Sequence, residues 1–226
     1  MSVRFLVPAA ALLAGLGLAA PAQAATNLIL NGSFETGDFT SWSYSGVVGD
    51  ATPAVVLTYN SATPYPTGAF GEAVPTPSGS ASPDPAGTRG AYFVSDFADE
   101  TIQQTSTLGP GAYTYGFSYY VPNNGYANPG EAELFGTVAG QSFSLVVSAL
   151  TPGQWYNWSG TFSTAVAGNW LTSFTFRTNS YPAKDIVIDQ VYVTAVPEAS
   201  TWAMMAVGFL GLAMAARKTR RLPAFG

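Results

Sequence analysis

The sequence predicts an all-β protein, an antiparallel sandwich flanked by two apolar terminal helices. Three observations support that class. Between residues 25 and 195, nine to eleven short runs rich in β-branched and aromatic residues follow one another, separated by glycine, proline and serine. No run in that stretch holds the period of an amphipathic helix. Tyr113, Tyr115, Phe117 and Tyr119 alternate strictly, which sets four aromatic rings on one face of a strand.

The chain opens with a segment that is not part of the fold. Arg4 gives a positive start, Leu6 to Ala20 is apolar apart from Pro8, and Ala22-Gln23-Ala24 offers the small residues that signal peptidase requires. Residues 1–24 are therefore expected to be a secretory signal helix, with the mature chain starting at Ala25.

The ectodomain, 25–195, is one domain by size. Asn27-Leu28-Ile29-Leu30 opens it. In the turn-rich run up to Trp42, Phe34, Phe39 and Trp42 are suited to form an apolar lid at the sandwich edge. Ala54 to Tyr59 reads as a strand. Thr63 to Gly90 holds six prolines and five glycines, so it cannot run through a sheet interior and reads as a long, mobile surface loop. Strands are then expected at 91–97, 101–108 and 113–119. A hairpin over 131–147 turns at Ala139-Gly140, and strands at 155–162, 170–177 and 186–194 follow.

Charge and composition exclude several functions. The ectodomain has three basic residues (Arg89, Arg177 and Lys184) and twelve acidic ones, a net charge of −9. Phosphate backbones would be repelled, so no nucleic-acid partner is expected. Histidine and cysteine are absent, which removes imidazole metal sites, His-based triads and disulfides. Glu131 and Glu133 share one strand face and Asp99-Glu100 lies in a turn. Neither pair suits the facing carboxylates of a glycosidase, so no catalysis is expected.

The end of the chain has three parts in order. Val196-Pro197-Glu198-Ala199-Ser200-Thr201-Trp202 leads into a run without charge up to Ala216, and Arg217, Lys218, Arg220 and Arg221 close it. As a helix, Thr201 to Ala216 would be about 24 Å long, just enough to cross a bilayer with some thinning. The four basic residues would stop transfer and stay in the cytoplasm. This stretch resembles the PEP-CTERM sorting signal of bacterial surface proteins. Val196, Pro197, Glu198, Ser200, Thr201, Trp202, Ala203, Met204 and Met205 match its pattern, and Ala199 replaces the second proline. The resemblance implies a sorting signal over 196–221, recognised by an exosortase-type membrane protease. The protein would pass through an inner-membrane intermediate to the cell surface or matrix.

A second resemblance covers the ectodomain. Asn27 to Trp42 is similar to the opening of galactose-binding-like jelly rolls and carbohydrate-binding modules, and Ile188-Asp189-Gln190-Val191-Tyr192-Val193 to their last strand. The resemblance implies a jelly roll and, at Glu35 and Asp189 with Asp38 as helper, a structural calcium ion. Without a metal, those carboxylates would accept hydrogen bonds in their own turns. No other cofactor is required. Exposed aromatics stack on sugar rings, which makes Tyr119, Tyr120, Tyr126 and Trp155 candidates for polysaccharide contact, whereas Trp158 and Trp170 read as core. The expectation is a structural or adhesive protein of the polysaccharide layer, with a carbohydrate-binding module as the alternative and a glycan-active enzyme third.

Overall fold

The computed structural model describes residues 25–124, 132–179, 183–196 and 205–213. Ten strands form two five-stranded antiparallel sheets. They are β1 (Ser43–Ser45), β2 (Val55–Thr58), β3 (Arg89–Phe93), β4 (Glu100–Leu108), β5 (Gly111–Tyr120), β6 (Glu133–Val138), β7 (Gln141–Val146), β8 (Trp155–Thr164), β9 (Gly168–Arg177) and β10 (Ile186–Ala195). One sheet runs β1-β4-β9-β6-β7 and the other β2-β3-β10-β5-β8. The last eight strands pair from the outside inward: β3 with β10, β4 with β9, β5 with β8 and β6 with β7. That is a long hairpin rolled up on itself, the jelly-roll arrangement.

Alternation builds the core between the sheets. Tyr113, Phe117 and Tyr119 of β5 point inward with Tyr115 half-buried beside them, as the sequence pattern requires. Phe174 and Phe176 of β9 meet them from the other sheet, and Phe117 packs edge-on against Phe174 at 4.9 Å. Trp158 and Trp170 pack half-buried against this core. Phe34 and Trp42 close one margin, stacked at 5.6 Å, with the Trp42 indole N–H donating to the Asn31 carbonyl. The β6–β7 hairpin turns through Ala139 and Gly140, both at positive φ, as expected of a tight two-residue turn.

The opening residues Asn27 to Leu30 lie beside β10, with the Leu28 N–H on the Val193 carbonyl and the Asn27 side chain on the Val193 N–H. One expectation changes. The proline-rich segment is not a free loop. It crosses the outer face of the second sheet and covers a second apolar cluster made of Leu57, Tyr59, Ala69, Val74, Tyr92, Val94, Tyr120 and Val187. Proline keeps it out of the ladder, but a strap needs only occasional bonds. The Thr58 N–H reaches Thr67, the Asn60 N–H reaches Val74, and the Trp155 indole donates to Pro75.

Among the described residues no helix is long and apolar enough to cross a membrane. Residues 205–213 are helical and exposed, and they cover only the middle of the expected span.

Candidate functional site

Two polar features lie on the strap-covered face of the second sheet. The first is centred on Asp189. In β10 the register slips by one residue between Asp189 and Tyr192, and Gln190 sits at φ 50°, so the strand carries a bulge there. The bulge returns Val191 and Val193 to the core and leaves Asp189 beneath the strap. Asp189 is fully buried. Its Oδ1 accepts the Gln190 N–H at 2.6 Å, and its Oδ2 has no hydrogen-bond partner. Burial pushes its carboxyl well above the usual range, and the charges of Glu35 and Asp84 add to that. Tyr59 Oη, also buried and without a partner of good geometry, adjoins it.

Glu35 reaches the same region from the opening turn. Its Oε1 accepts the Thr88 and Arg89 N–H groups at 2.8 and 2.9 Å. A Cβ at Gly87 would lie 2.2 Å from that oxygen, so any other residue there would push the Glu35 carboxylate off these N–H groups. Asp84 accepts from Asn27 through its side chain and from Gln190 through its carbonyl. The Glu35 Oε2 accepts the Thr88 hydroxyl as well, so both Glu35 oxygens are engaged, and among the described residues no group of three carboxylates is placed to hold a metal ion. Asp38 does not join Glu35 and Asp189. Its carboxylate is taken up by the Thr36 hydroxyl and the Thr40 N–H, and these bonds hold it below the usual carboxylate range.

The second feature is a cleft of about 300 Å³ at the end of the sheet where β10 begins, lined by Thr52, Phe70, Val94, Asp96, Asn124, Ala183 and Asp185. The strap forms one rim. Ala69 and Glu72 bridge across a tight turn whose central residues, Phe70 and Gly71, have φ of 46° and 91°. The turn holds Phe70 52% exposed, with one ring face stacked on Tyr65 at 5.4 Å and 12°. Glu72 then clasps the far rim by accepting the Asn123 and Asn124 N–H groups, the Asn123 amide and the Tyr120 hydroxyl. On the floor, Asp185 accepts the Tyr92 hydroxyl, and burial raises its carboxyl to about 7. Asp96 accepts the Ala183 N–H and is also raised, mainly by burial.

The aromatics singled out from the sequence are placed otherwise. Tyr119 is buried in the inner core against Tyr156, and Tyr120 is buried under the strap. Trp155 is half-buried between Tyr59, Tyr120 and the strap. Neither tyrosine offers an open ring, because strand alternation buries both faces of a strap-covered sheet. Tyr126 and Glu131 lie outside the described residues. Glu133 accepts the Ser144 hydroxyl and Asp99 pairs with Arg177 at 2.8 Å, so both carboxylates already have partners within the fold. The sequence reading missed Phe70, Asp96 and Asp185. A lone phenylalanine followed by glycine in a proline-rich stretch was the available signal for the turn.

Of the terminal residues, Ala25 and Val196 are described. The Val196 N–H donates to the Ala112 carbonyl at 2.8 Å, extending the β10 ladder to the edge of the sorting segment. Ala22, Ala24, Pro197, Glu198, Ser200, Thr201, Trp202, Arg217, Lys218, Arg220 and Arg221 lie outside the described residues.

No curated protein matches the chain in sequence. Among solved structures it is similar to TmCBM61, solved in complex with beta-1,4-galactotriose, at 19% identity and a TM-score of 0.49, over 76% of this chain and 99% of that one. It is similar to a family 16 carbohydrate-binding module at 18% identity and a TM-score of 0.42, over 74% and 99%. The K3 cleaved adhesin domain of Lys-gingipain from Porphyromonas gingivalis W83 aligns at 16% identity and a TM-score of 0.45, over 76% and 99%. At residues 195–221 the chain carries a PEP-CTERM protein-sorting motif.

Proposed function

We propose that the protein is an exported adhesive component of the cell surface or extracellular matrix, and that it holds polysaccharide in the strap-rimmed cleft. Signal peptidase releases it at Ala25, an exosortase-type membrane protease reads the motif that follows Val196, and the sandwich remains outside. The observation that carries the ligand class is Phe70. It is a bulky residue held at positive φ with one ring face backed by Tyr65, so the other is presented beside a polar cleft. Sugar rings offer flat C–H faces to such a platform and hydroxyls to the groups around it. A glycan array tests the reading. Wild-type protein binds at least one glycan, and Phe70→Ala loses tenfold or more of that affinity. Equal binding by both would remove the cleft from the account.

The Asp189 cluster is read as a structural calcium site, with Glu35 and Asp189 as its carboxylate ligands and Asp84 beside them. The support is the buried Asp189 oxygen, which has no hydrogen bond of good geometry and only the Tyr59 hydroxyl beside it. Calcium would supply charge balance there and tie the opening turn to the last strand.

Glycan hydrolysis is the second reading, because Asp96 and Asp185 share one cleft. A retaining or inverting pair needs one carboxyl kept acidic and the other kept ionised. Here Asp185 already accepts the Tyr92 hydroxyl and Asp96 the Ala183 N–H, so both carboxyls are engaged within the fold. No reducing ends should appear when array hits are incubated with the protein.

A further inference from the structure

The chemistry of the cleft selects among glycans. Its two charged side chains are both carboxylates, Asp96 and Asp185. The Asn124 amide gives one N–H to the Ala69 carbonyl and the Thr52 hydroxyl donates to the Asp50 carboxylate, so a single amide N–H is the donor left among the lining side chains. Glu72 and Asp50 stand close enough to raise Asp185 and Asp96 respectively by their charge. No cation answers them. Lys184 adjoins Asp185 in sequence but donates its ammonium to the Ser148 and Leu150 carbonyls. Arg177 is paired with Asp99 and lies over the Phe135 ring, and Arg89 lies against Gly37. None of the three basic side chains of the ectodomain lines the cleft.

A ligand for this cleft must bring donors, and the strongest donor for a carboxylate is an ammonium group. A uronate or sulfated sugar would meet like charge at short range in a partly desolvated site, where charge interactions are strengthened. We propose that the cleft, if it is the glycan site argued above, takes a sugar chain bearing free amino groups. Phe70 would stack on a ring, and Asp96 and Asp185 would accept from its ammonium. The groups facing Asp185 are Tyr92 from β3, Asp96 beyond it and Glu72 from the strap, none of them cationic. Its carboxyl, near 7, gives the preference a pH dependence: Asp185 is ionised above that value and neutral below it.

Calorimetry with oligomers of glucosamine, oligomers of N-acetylglucosamine and oligogalacturonate tests this on the full mature chain. The amino form should bind at least tenfold tighter than the acetylated form, with no heat from the uronate. The preference should peak near pH 7, shrinking toward about pH 5 as Asp185 takes up a proton and toward about pH 8 as the sugar amine loses its own, and it should shrink as salt rises. Asp185→Asn and Asp96→Asn together should erase the preference while the acetylated oligomer, held by the ring, still binds. Acetylated and amino forms binding alike, in the wild type and in the double variant, would overturn the specificity and leave the site standing. Binding of any of them unaffected by Phe70→Ala would overturn the site itself.

Discussion

Phe70 sits at φ 46°, a conformation that costs an ordinary L-residue about 1–2 kcal/mol and that glycine adopts freely. Phe70→Gly should therefore melt within about 1 kcal/mol of wild type, since relief of strain offsets the lost stack on Tyr65, and yet bind no glycan. A fall in stability beyond that, together with lost binding, would mark the ring as structural. At Asp189 the sign of a substitution separates two states. With calcium present, Asp189→Asn removes a ligand, so the melting temperature should drop and lose its sensitivity to chelator. Were no ion bound, the same change would relieve a buried carboxylate and raise the melting temperature. Wild-type protein should gain about 2.7 kcal/mol at a calcium concentration a hundredfold above the dissociation constant. At Asp185 the folded carboxyl titrates near 7 and the unfolded one near its ordinary value of about 4. Between those values the folded state holds the extra proton, so stability falls as pH rises from about 4 to 7 and levels off above. Asp185→Asn removes that slope. Measured by denaturant unfolding, the variant should gain on the wild type by on the order of 2 kcal/mol across the window.

At the scale of elements, the strap is the part that makes the cleft, and Glu72 is its clasp. The carboxylate accepts four hydrogen bonds from Tyr120, Asn123 and Asn124. Bonds to a charged acceptor contribute roughly 1.5–3 kcal/mol when one partner is removed. Glu72→Ala should cost about that much and open the segment near Phe70 to limited proteolysis, whereas the wild-type strap should resist. The sequence carried the strands well for a physical reason: alternation in β5 and β9 reports burial on a pleated surface directly, and Ala139-Gly140 names its own turn. It carried the strap poorly. Six prolines say that a segment stays out of a ladder, but not that it lies on Leu57, Tyr59, Tyr92 and Val187. Those residues alternate with the inner core and make both faces of their strands apolar, which says that something covers the outer face but not which segment does. Glu35 and Asp189 were paired in the sequence by resemblance alone, and the fold sets them close enough for the Glu35 charge to raise the Asp189 carboxyl. Asp96 and Asp185 were not legible, because they come together only when the ends of β3 and β10 are paired.

For the whole molecule, β10 links the two functions. Asp185, at its start, lines the cleft, and Val196, at its end, leads into the sorting motif. Ten extended residues carry the chain about 33 Å. A molecule held at the membrane by its tail would therefore offer the cleft from its distal end. Glu198→Ala should leave insertion intact but trap full-length protein in the membrane, and neutralising Arg217, Lys218, Arg220 and Arg221 should let uncut protein escape. Intact mass of the membrane and surface fractions reads both outcomes. Glu198→Ala protein at the surface with the processed mass of the wild type would reduce the tail to a plain anchor.

The central claim, that the strap-rimmed cleft is where this sandwich binds glycan, is tested most directly by titrating the best array hit into labelled protein and mapping the amide chemical shifts. The account predicts changes concentrated at Thr52, Phe70, Gly71, Val94, Asp96, Asn124 and Asp185. Shifts confined to the outer face of the β4-β9-β6-β7 sheet, with the cleft amides unmoved, would contradict it.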